Sequence, residues 1–107
     1  MSTFDKREQG FENKFAHDEE LRFKANARRN KLLGLWAAGL LGYSGEKAEE
    51  YAKEVVRSDF EEPGDEDVFR KLREDFDKNS VEQSDHQIRR TMDELMATAV
   101  DQLQNEG

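Results

Sequence analysis

The sequence predicts an all-α protein, a small antiparallel four-helix bundle preceded by a mobile, largely disordered N-terminal segment. Three observations predict this class. Apolar residues recur at helical spacing in four stretches, residues typical of helix starts and stops separate these stretches, and none of the 107 residues lies in a strand-like alternation. Four helices that each carry one apolar face bury those faces best against one another, and short connections favour antiparallel neighbours.

The first helix is predicted over about residues 18–41. Acidic residues at positions 18–20 place negative charge where a helix N-terminus favours it, and Gly42 is a suitable stop. The second half of this helix is apolar on nearly every side, which is typical of a central element against which others pack. Trp36 is expected to be a landmark of the core.

Three further helices follow, each marked by its own start or stop residues. Ser44 is a good N-cap for the second helix, and Pro63-Gly64 breaks the chain after it. Ser84 and Gln87 have the spacing of a capping box at the start of the last helix. The predicted ranges are about 45–61, 65–78 and 84–105, so that residues 18–107 form the bundle.

Residues 1–17 are predicted to form a separate segment that is disordered alone and becomes helical on a partner. Phe4, Phe11 and Phe15 are spaced by seven and four residues, which places them within roughly 40° of one another on a helix. Burying three Phe side chains returns about 5–9 kcal/mol, whereas ordering the backbone costs about 15–30 kcal/mol. The segment therefore needs a partner to fold. An alternative is a tail whose phenylalanines contact the bundle.

Composition limits the chemistry and the location. The chain has no cysteine, which excludes a disulfide framework and a thiolate zinc site and suits a reducing compartment. The N-terminus lacks the apolar stretch of a secretory signal. The longest apolar run, residues 32–41, is shorter than the about 20 residues that a membrane span needs. We therefore expect a soluble protein without direct membrane insertion.

Charge is distributed unevenly along the chain. Residues 1–41 hold eight Lys/Arg against six Asp/Glu, net +2, whereas residues 42–107 hold nine against nineteen, net −10. An acidic body argues against nucleic-acid binding, which needs a dominant basic patch. The one basic cluster is interleaved with acidic residues and is interpreted as a solvated helix face. Its members are Arg22, Lys24, Arg28, Arg29 and Lys31.

No residue pattern indicates catalysis or a resident cofactor. His17 and His86 do not pair with a second histidine at metal-ligand spacing and are expected to be surface or capping residues. The glycines between residues 39 and 45 lack the Gly-Lys-Ser/Thr order of a phosphate loop. Without a cysteine, a glycine-framed serine or a histidine base, nucleophilic catalysis has no candidate residues. We expect no enzyme activity, no metal and no cofactor.

Three sequence blocks resemble one known family. The run FENKFAHDEELRFKANARRNKLLGLWAA at residues 11–38 resembles the signature of the zeta subunit of alphaproteobacterial F-type ATP synthases. The segments PGDEDVFRKLR at 63–73 and SDHQIRRTMDELM at 84–96 are similar to that family as well. The resemblance covers the whole chain.

The resemblance implies a fold and a function. Members of the family form a four-helix bundle with a mobile N-terminal region that inhibits ATP hydrolysis by the F1 sector. By the resemblance, this region enters a catalytic interface between the alpha and beta subunits, reaches the gamma rotor and becomes helical there. The expected location is cytoplasmic and peripheral to the membrane-bound ATP synthase.

Carried onto this chain, the inhibitory segment would run from Ser2 to about Glu19, with the three phenylalanines as anchors and the charged residues at the rim. The residues expected to contact the alpha, beta and gamma subunits are Phe4, Asp5, Lys6, Arg7, Phe11, Glu12, Lys14, Phe15, Ala16, His17, Asp18 and Glu19.

Two alternative functions stay open at this point. In the first, the basic cluster of the first helix accepts the phosphates of ATP or ADP on the bundle surface. In the second, the acidic body serves as an adaptor for a basic partner. Either alternative would come with weak or no inhibition of F1.

Overall fold

The computed structural model describes residues 19–59 and 65–106, without the side chains of residues 19 and 106. This part of the chain contains four α-helices and no strand, which confirms the predicted all-α, four-helix class. The predicted N-terminal segment and the Pro63-Gly64 break lie outside the described residues. The helices are α1 (Glu19–Leu40), α2 (Gly45–Ser58), α3 (Glu66–Lys78) and α4 (Asp85–Glu106).

Helix α1 makes the most extensive helix contacts in the described part of the chain. It contacts α2 most extensively and α4 next, while α3 contacts both α2 and α4. The contacts therefore close a ring of four helices around one core. The antiparallel direction of neighbouring helices and the boundary between residues 17 and 18 stay predictions. The buried core residues are Leu33, Ala37, Ala38, Tyr51, Val55, Val68, Leu72, Phe76, Ile88 and Met92.

The largest apolar side chains of the core meet at right angles. Phe76 is fully buried, and the ring of Trp36 packs edge-on against it at 5.8 Å between ring centroids and 83° between planes. Trp36 itself is only partly buried. Edge-to-face pairs of this kind add about 0.5–1.5 kcal/mol to the burial of the rings.

Helix ends follow their local sequence. Gly42 adopts a left-handed φ of 84°, and the N–H of Tyr43 donates to the carbonyl of Ala38 at 2.8 Å, as in a Schellman motif. The end of α3 has a similar bond of 2.9 Å from Val81 to Phe76. These bonds satisfy carbonyls that have no partner inside the helix.

The two predicted N-caps have different outcomes. At α4, Ser84 and Gln87 exchange hydrogen bonds of 2.8 and 3.1 Å, so the capping box is confirmed. At α2, Ser44 occupies the N-cap position, but its side chain makes no capping hydrogen bond.

A glycine sets the close approach of α1 and α2. A Cβ added at Gly34 would lie 2.6 Å from the Cα of Ala52 and 3.1 Å from its Cβ. Only a residue without a side chain fits there without moving a backbone. This close contact sets the distance between α1 and α2, which also line the surface groove described below.

Candidate functional site

The predicted partner-binding residues precede the bundle. Positions 4–18 lie outside the described residues, and Glu19 is the first residue of α1. The described part of the chain therefore begins at the last residue of the predicted inhibitory segment, in the helix that packs on both α2 and α4.

The five basic residues of the cluster on α1 do not share one surface. Arg22 is exposed, and Lys24 pairs with Glu20 at 3.2 Å on the solvent side. Arg28 is partly buried and donates from Nη1 to Gln102 Oε1 at 3.1 Å, which ties α1 to α4. The other two members, Arg29 and Lys31, lie in different environments again, one buried and one exposed.

Arg29 corrects the interpretation of the cluster as a solvated face. Its side chain is 2% exposed, its Nε donates to Asn30 Oδ1 at 2.7 Å, and its Nη2 donates to Asp65 Oδ1 at 2.8 Å. Asp65 is the residue before α3. The guanidinium therefore connects α1 to the start of α3 and has a structural role.

Further carboxyl groups surround this guanidinium. Burial raises the pKa of Asp59 above its ordinary value, while a hydrogen bond from Asn30 and the charge of Arg29 act in the opposite direction. Asp65 and Asp67 raise it further by repulsion. The acidic residues on both sides of the connection between α2 and α3 thus use the buried arginine as their counter-charge.

A second polar network joins α2 and α3. The phenol of Tyr51 donates to Asp75 Oδ2 at 2.8 Å, and Lys71 Nζ lies 3.2 Å from the same oxygen and 3.4 Å from Glu54. Burial and the hydrogen bond to Asp75 raise the pKa of the Tyr51 phenol. The hydroxyl stays protonated at neutral pH and acts as a structural donor.

A surface groove lies between α1 and α2, with a cavity volume of about 330 Å³. We call it the α1–α2 groove. Its floor is apolar, and three cationic side chains and one carboxylate line it. The lining residues are Lys31, Glu49, Ala52, Lys53, Val56 and Arg57.

A second, smaller cavity of about 200 Å³ is lined by residues of α1 nearer its start, together with Val56 and Asp59. Val56 lines both cavities, and Ala27 and Phe23 line the smaller one. Phe23 is 56% exposed, which makes it the most exposed of the large apolar side chains in the described part of the chain. The two cavities are therefore neighbours that share Val56.

Sequence reasoning identified only one residue of the α1–α2 groove, Lys31. The signal for the others was present in α2, where Lys53 and Arg57 are four residues apart and so share one helix face. Which partner helix this face would meet depends on the packing at Gly34 and Ala52, and the sequence pattern does not reveal that packing.

The described residues contain neither a metal-binding cluster nor a membrane-spanning helix. No group of three or more His, Asp or Glu side chains in residues 19–59 and 65–106 is arranged to hold a metal ion. His86 is exposed near the start of α4. Within the same residues, no helix combines the length and apolar character that a membrane crossing requires.

These features define a small four-helix protein whose buried polar clusters hold its helices together. A family model described as ATPase inhibitor subunit zeta matches residues 1–102, and the chain belongs to this family. A solution NMR structure of a protein with 49% sequence identity matches with a TM-score of 0.72, covering 81% of this chain and 99% of that one. No curated protein matches the chain.

Proposed function

We propose that this protein inhibits ATP hydrolysis by the F1 sector of an F-type ATP synthase through its N-terminal segment. The observation that carries the proposal is the family match, because it begins at residue 1 and so includes the three phenylalanines that precede α1. In this role the protein is a regulatory subunit, peripheral to the membrane-bound synthase in the cytoplasm, and has no reaction of its own.

The inhibitory contact is made by residues 2–19, which we call the wedge. The wedge enters an interface formed by the alpha, beta and gamma subunits and becomes helical there, so that Phe4, Phe11 and Phe15 face apolar surface of the partner. Fully buried aromatic side chains supply most of the affinity of such interfaces. The charged residues at the rim govern the association rate and its salt dependence.

The bundle anchors the wedge. Helix α1 continues the chain of the wedge and is fixed at three points along its length: Arg28 bonds to α4, Arg29 bonds to the start of α3, and Gly34 contacts α2. A helix held on several sides resists displacement at its N-terminus. The bundle can therefore keep the wedge in place while the rotor applies force to it.

A wedge of this kind acts in one direction. Hydrolysis closes the catalytic interface onto the inserted helix, whereas rotation in the synthesis direction reopens the interface and releases it. The test is to add the protein to inverted membrane vesicles that contain the cognate ATP synthase and to measure ATP hydrolysis and proton-driven ATP synthesis in parallel. We expect loss of hydrolysis with synthesis retained. Equal loss of both activities would contradict a one-directional wedge.

The alternative of a nucleotide site on Arg22, Lys24, Arg28, Arg29 and Lys31 stays a prediction, and the geometry gives it little support. The guanidinium of Arg29 is buried and bonded to Asp65, and Arg28 bonds to Gln102. Of the five residues, Lys31 is the one that lines the α1–α2 groove. The adaptor alternative is likewise a prediction, for which the discriminating observation is binding that survives loss of the wedge.

A further inference from the structure

The three cations of the α1–α2 groove lack partners within the described part of the protein. Lys31, Lys53 and Arg57 are exposed, and none of them forms an ion pair or a side-chain hydrogen bond with residues 19–59 or 65–106. In a chain of formal net charge −8, three converging cations with one carboxylate, Glu49, form a local positive surface.

Four basic residues on the other two helices, α3 and α4, differ from those of the groove. On α3 and α4, four basic side chains form ion pairs within the protein, at 2.7–3.4 Å from a carboxylate oxygen, and so are neutralised locally. These side chains are Lys71, Arg73, Arg89 and Arg90. Within residues 19–59 and 65–106 no carboxylate forms an ion pair with the cations of the groove, so this part of the chain leaves them available to a ligand.

The floor of the groove is apolar. Ala52 and Val56 form it. The separate smaller cavity shares Val56 and has a mixed lining, in which Asn26, Asn30 and Asp59 are polar. Alanine and valine side chains have no hydrogen-bond donor for a phosphate group or for a nucleotide base. A ligand that matches the apolar floor and the surrounding cations has an apolar stripe flanked by carboxylates. An amphipathic acidic helix has this pattern, and grooves between two helices are a common seat for such helices.

The groove lies close to the wedge. Ala27 and Lys31 follow Glu19 by eight and twelve residues along α1, which corresponds to about 12 and 18 Å at 1.5 Å per residue. A partner that holds the wedge therefore has surface within reach of the groove.

We infer that the α1–α2 groove is a second docking surface for F1, which binds an amphipathic acidic helix of an F1 subunit along its apolar floor and pairs that helix's carboxylates with Lys31, Lys53 and Arg57. This inference rests on the proposed function. The wedge blocks catalysis, whereas the groove increases affinity and association rate by engaging F1 at a second site.

The first test compares two full-length variants with the same change in charge. Lys31→Gln/Lys53→Gln/Arg57→Gln neutralises the groove, and Lys47→Gln/Lys78→Gln/Arg90→Gln neutralises three exposed cations elsewhere. Binding to the intact F1 complex is measured by biolayer interferometry at low and high salt, and hydrolysis is measured at saturation. Circular dichroism checks that each variant is folded.

We expect the groove variant to bind F1 about tenfold more weakly at low salt, mainly through slower association. The difference should shrink in high salt, while inhibition at saturation stays complete because the wedge is intact. Equal affinities of the two variants would overturn the groove inference and leave the wedge untouched. Failure of the unchanged protein to bind or inhibit F1 would overturn the proposed function and, with it, the groove.

The second test identifies the occupant. A photo-crosslinking residue is placed at position 53 in the full-length protein, which is then bound to F1 and irradiated, and the joined peptides are sequenced by mass spectrometry. We expect a helical F1 segment rich in Asp and Glu, and no product from position 78. Crosslinking to a basic or neutral segment contradicts the inference. Displacement of F1 from the groove by millimolar ADP or ATP would assign the cations to a nucleotide instead.

Discussion

The Nη2 atom of Arg29 donates to Asp65 Oδ1 at 2.8 Å and so joins the middle of α1 to the residue before α3. The guanidinium is 2% exposed, whereas the Asp65 side chain is 50% exposed. A buried cation with a half-exposed counter-charge depends on that partner more than the partner depends on it, because water can solvate only the carboxylate.

Arg29→Met is expected to lower the free energy of unfolding by about 2–4 kcal/mol, because it removes the hydrogen bonds of the guanidinium and leaves surrounding carboxyl groups without a counter-charge. Urea unfolding followed by circular dichroism measures this. Arg22→Met is the matched control on the same helix, since Arg22 is exposed, and should change stability by less than about 0.5 kcal/mol. Equal stability of the two variants contradicts the structural role of Arg29.

The two glycines within α1 predict opposite effects of the same substitution. Gly34→Ala forces a methyl group against the backbone of Ala52 and should destabilise the bundle by about 1–3 kcal/mol. At Gly39 an added Cβ meets nothing within 4 Å, so Gly39→Ala should stabilise the helix by about 0.5–1 kcal/mol. Thermal melts of both variants test this. A stabilising Gly34→Ala would show that α1 and α2 do not approach as described.

The buried phenol of Tyr51 should make the free energy of unfolding depend on pH in the alkaline range. Burial and the hydrogen bond to Asp75 raise the pKa of this phenol in the folded protein, whereas an unfolded chain has a value near 10. As pH rises past about 10, the unfolded state therefore loses the proton first, and the stability that Tyr51 contributes declines. Below that pH the contribution is fully present.

Urea unfolding of the unchanged protein and of Tyr51→Phe between pH 8 and 11 measures this contribution. At pH 8 the variant should be less stable by about 1–2 kcal/mol, because Asp75 loses a donor. The difference should narrow as pH rises above about 10. Parallel curves for the two proteins over the whole range would show that Tyr51 titrates at the same pH in both states.

Much of the fold could be predicted from local sequence. Helical spacing of apolar residues, the glycine after α1 and the capping box of α4 depend on residues close in the chain, and residues 19–59 and 65–106 form four helices accordingly. The burial of Arg29 could not be predicted in this way. Its partner, Asp65, is 36 positions away, and an arginine next to Arg28 resembles any other member of a charged helix face.

In the candidate site too, features that depend on neighbouring residues could be predicted, and features that depend on helix packing could not. The phenylalanine stripe is a local pattern and was visible in the sequence. The α1–α2 groove combines Lys31 with Lys53 and Arg57 from another helix, so it depends on the packing of α1 against α2, whose backbones approach closely at Gly34. A surface assembled by packing has no signature along the chain.

Substitutions on the phenylalanine face of the wedge should weaken inhibition, whereas substitutions on its opposite face should not. Phe11→Ala/Phe15→Ala removes two of the three anchors and should weaken inhibition of F1 hydrolysis at least about 100-fold, since each buried Phe contributes about 1.5–3 kcal/mol. Gln9→Ala/Asn13→Ala changes the opposite face of the same predicted helix and should leave the inhibition constant within about threefold. Equal potency of the two variants refutes the anchor assignment.

Inhibition through the wedge is tested by measuring ATP hydrolysis by the cognate F1 sector in titrations with the full-length protein and with a version that lacks residues 2–18. This deletion ends before the first residue of α1, and circular dichroism establishes whether the helices are retained. We expect the full-length protein to inhibit hydrolysis and the shortened, folded version not to inhibit it. Inhibition of equal strength by both would place the inhibitory surface on the bundle and contradict the wedge.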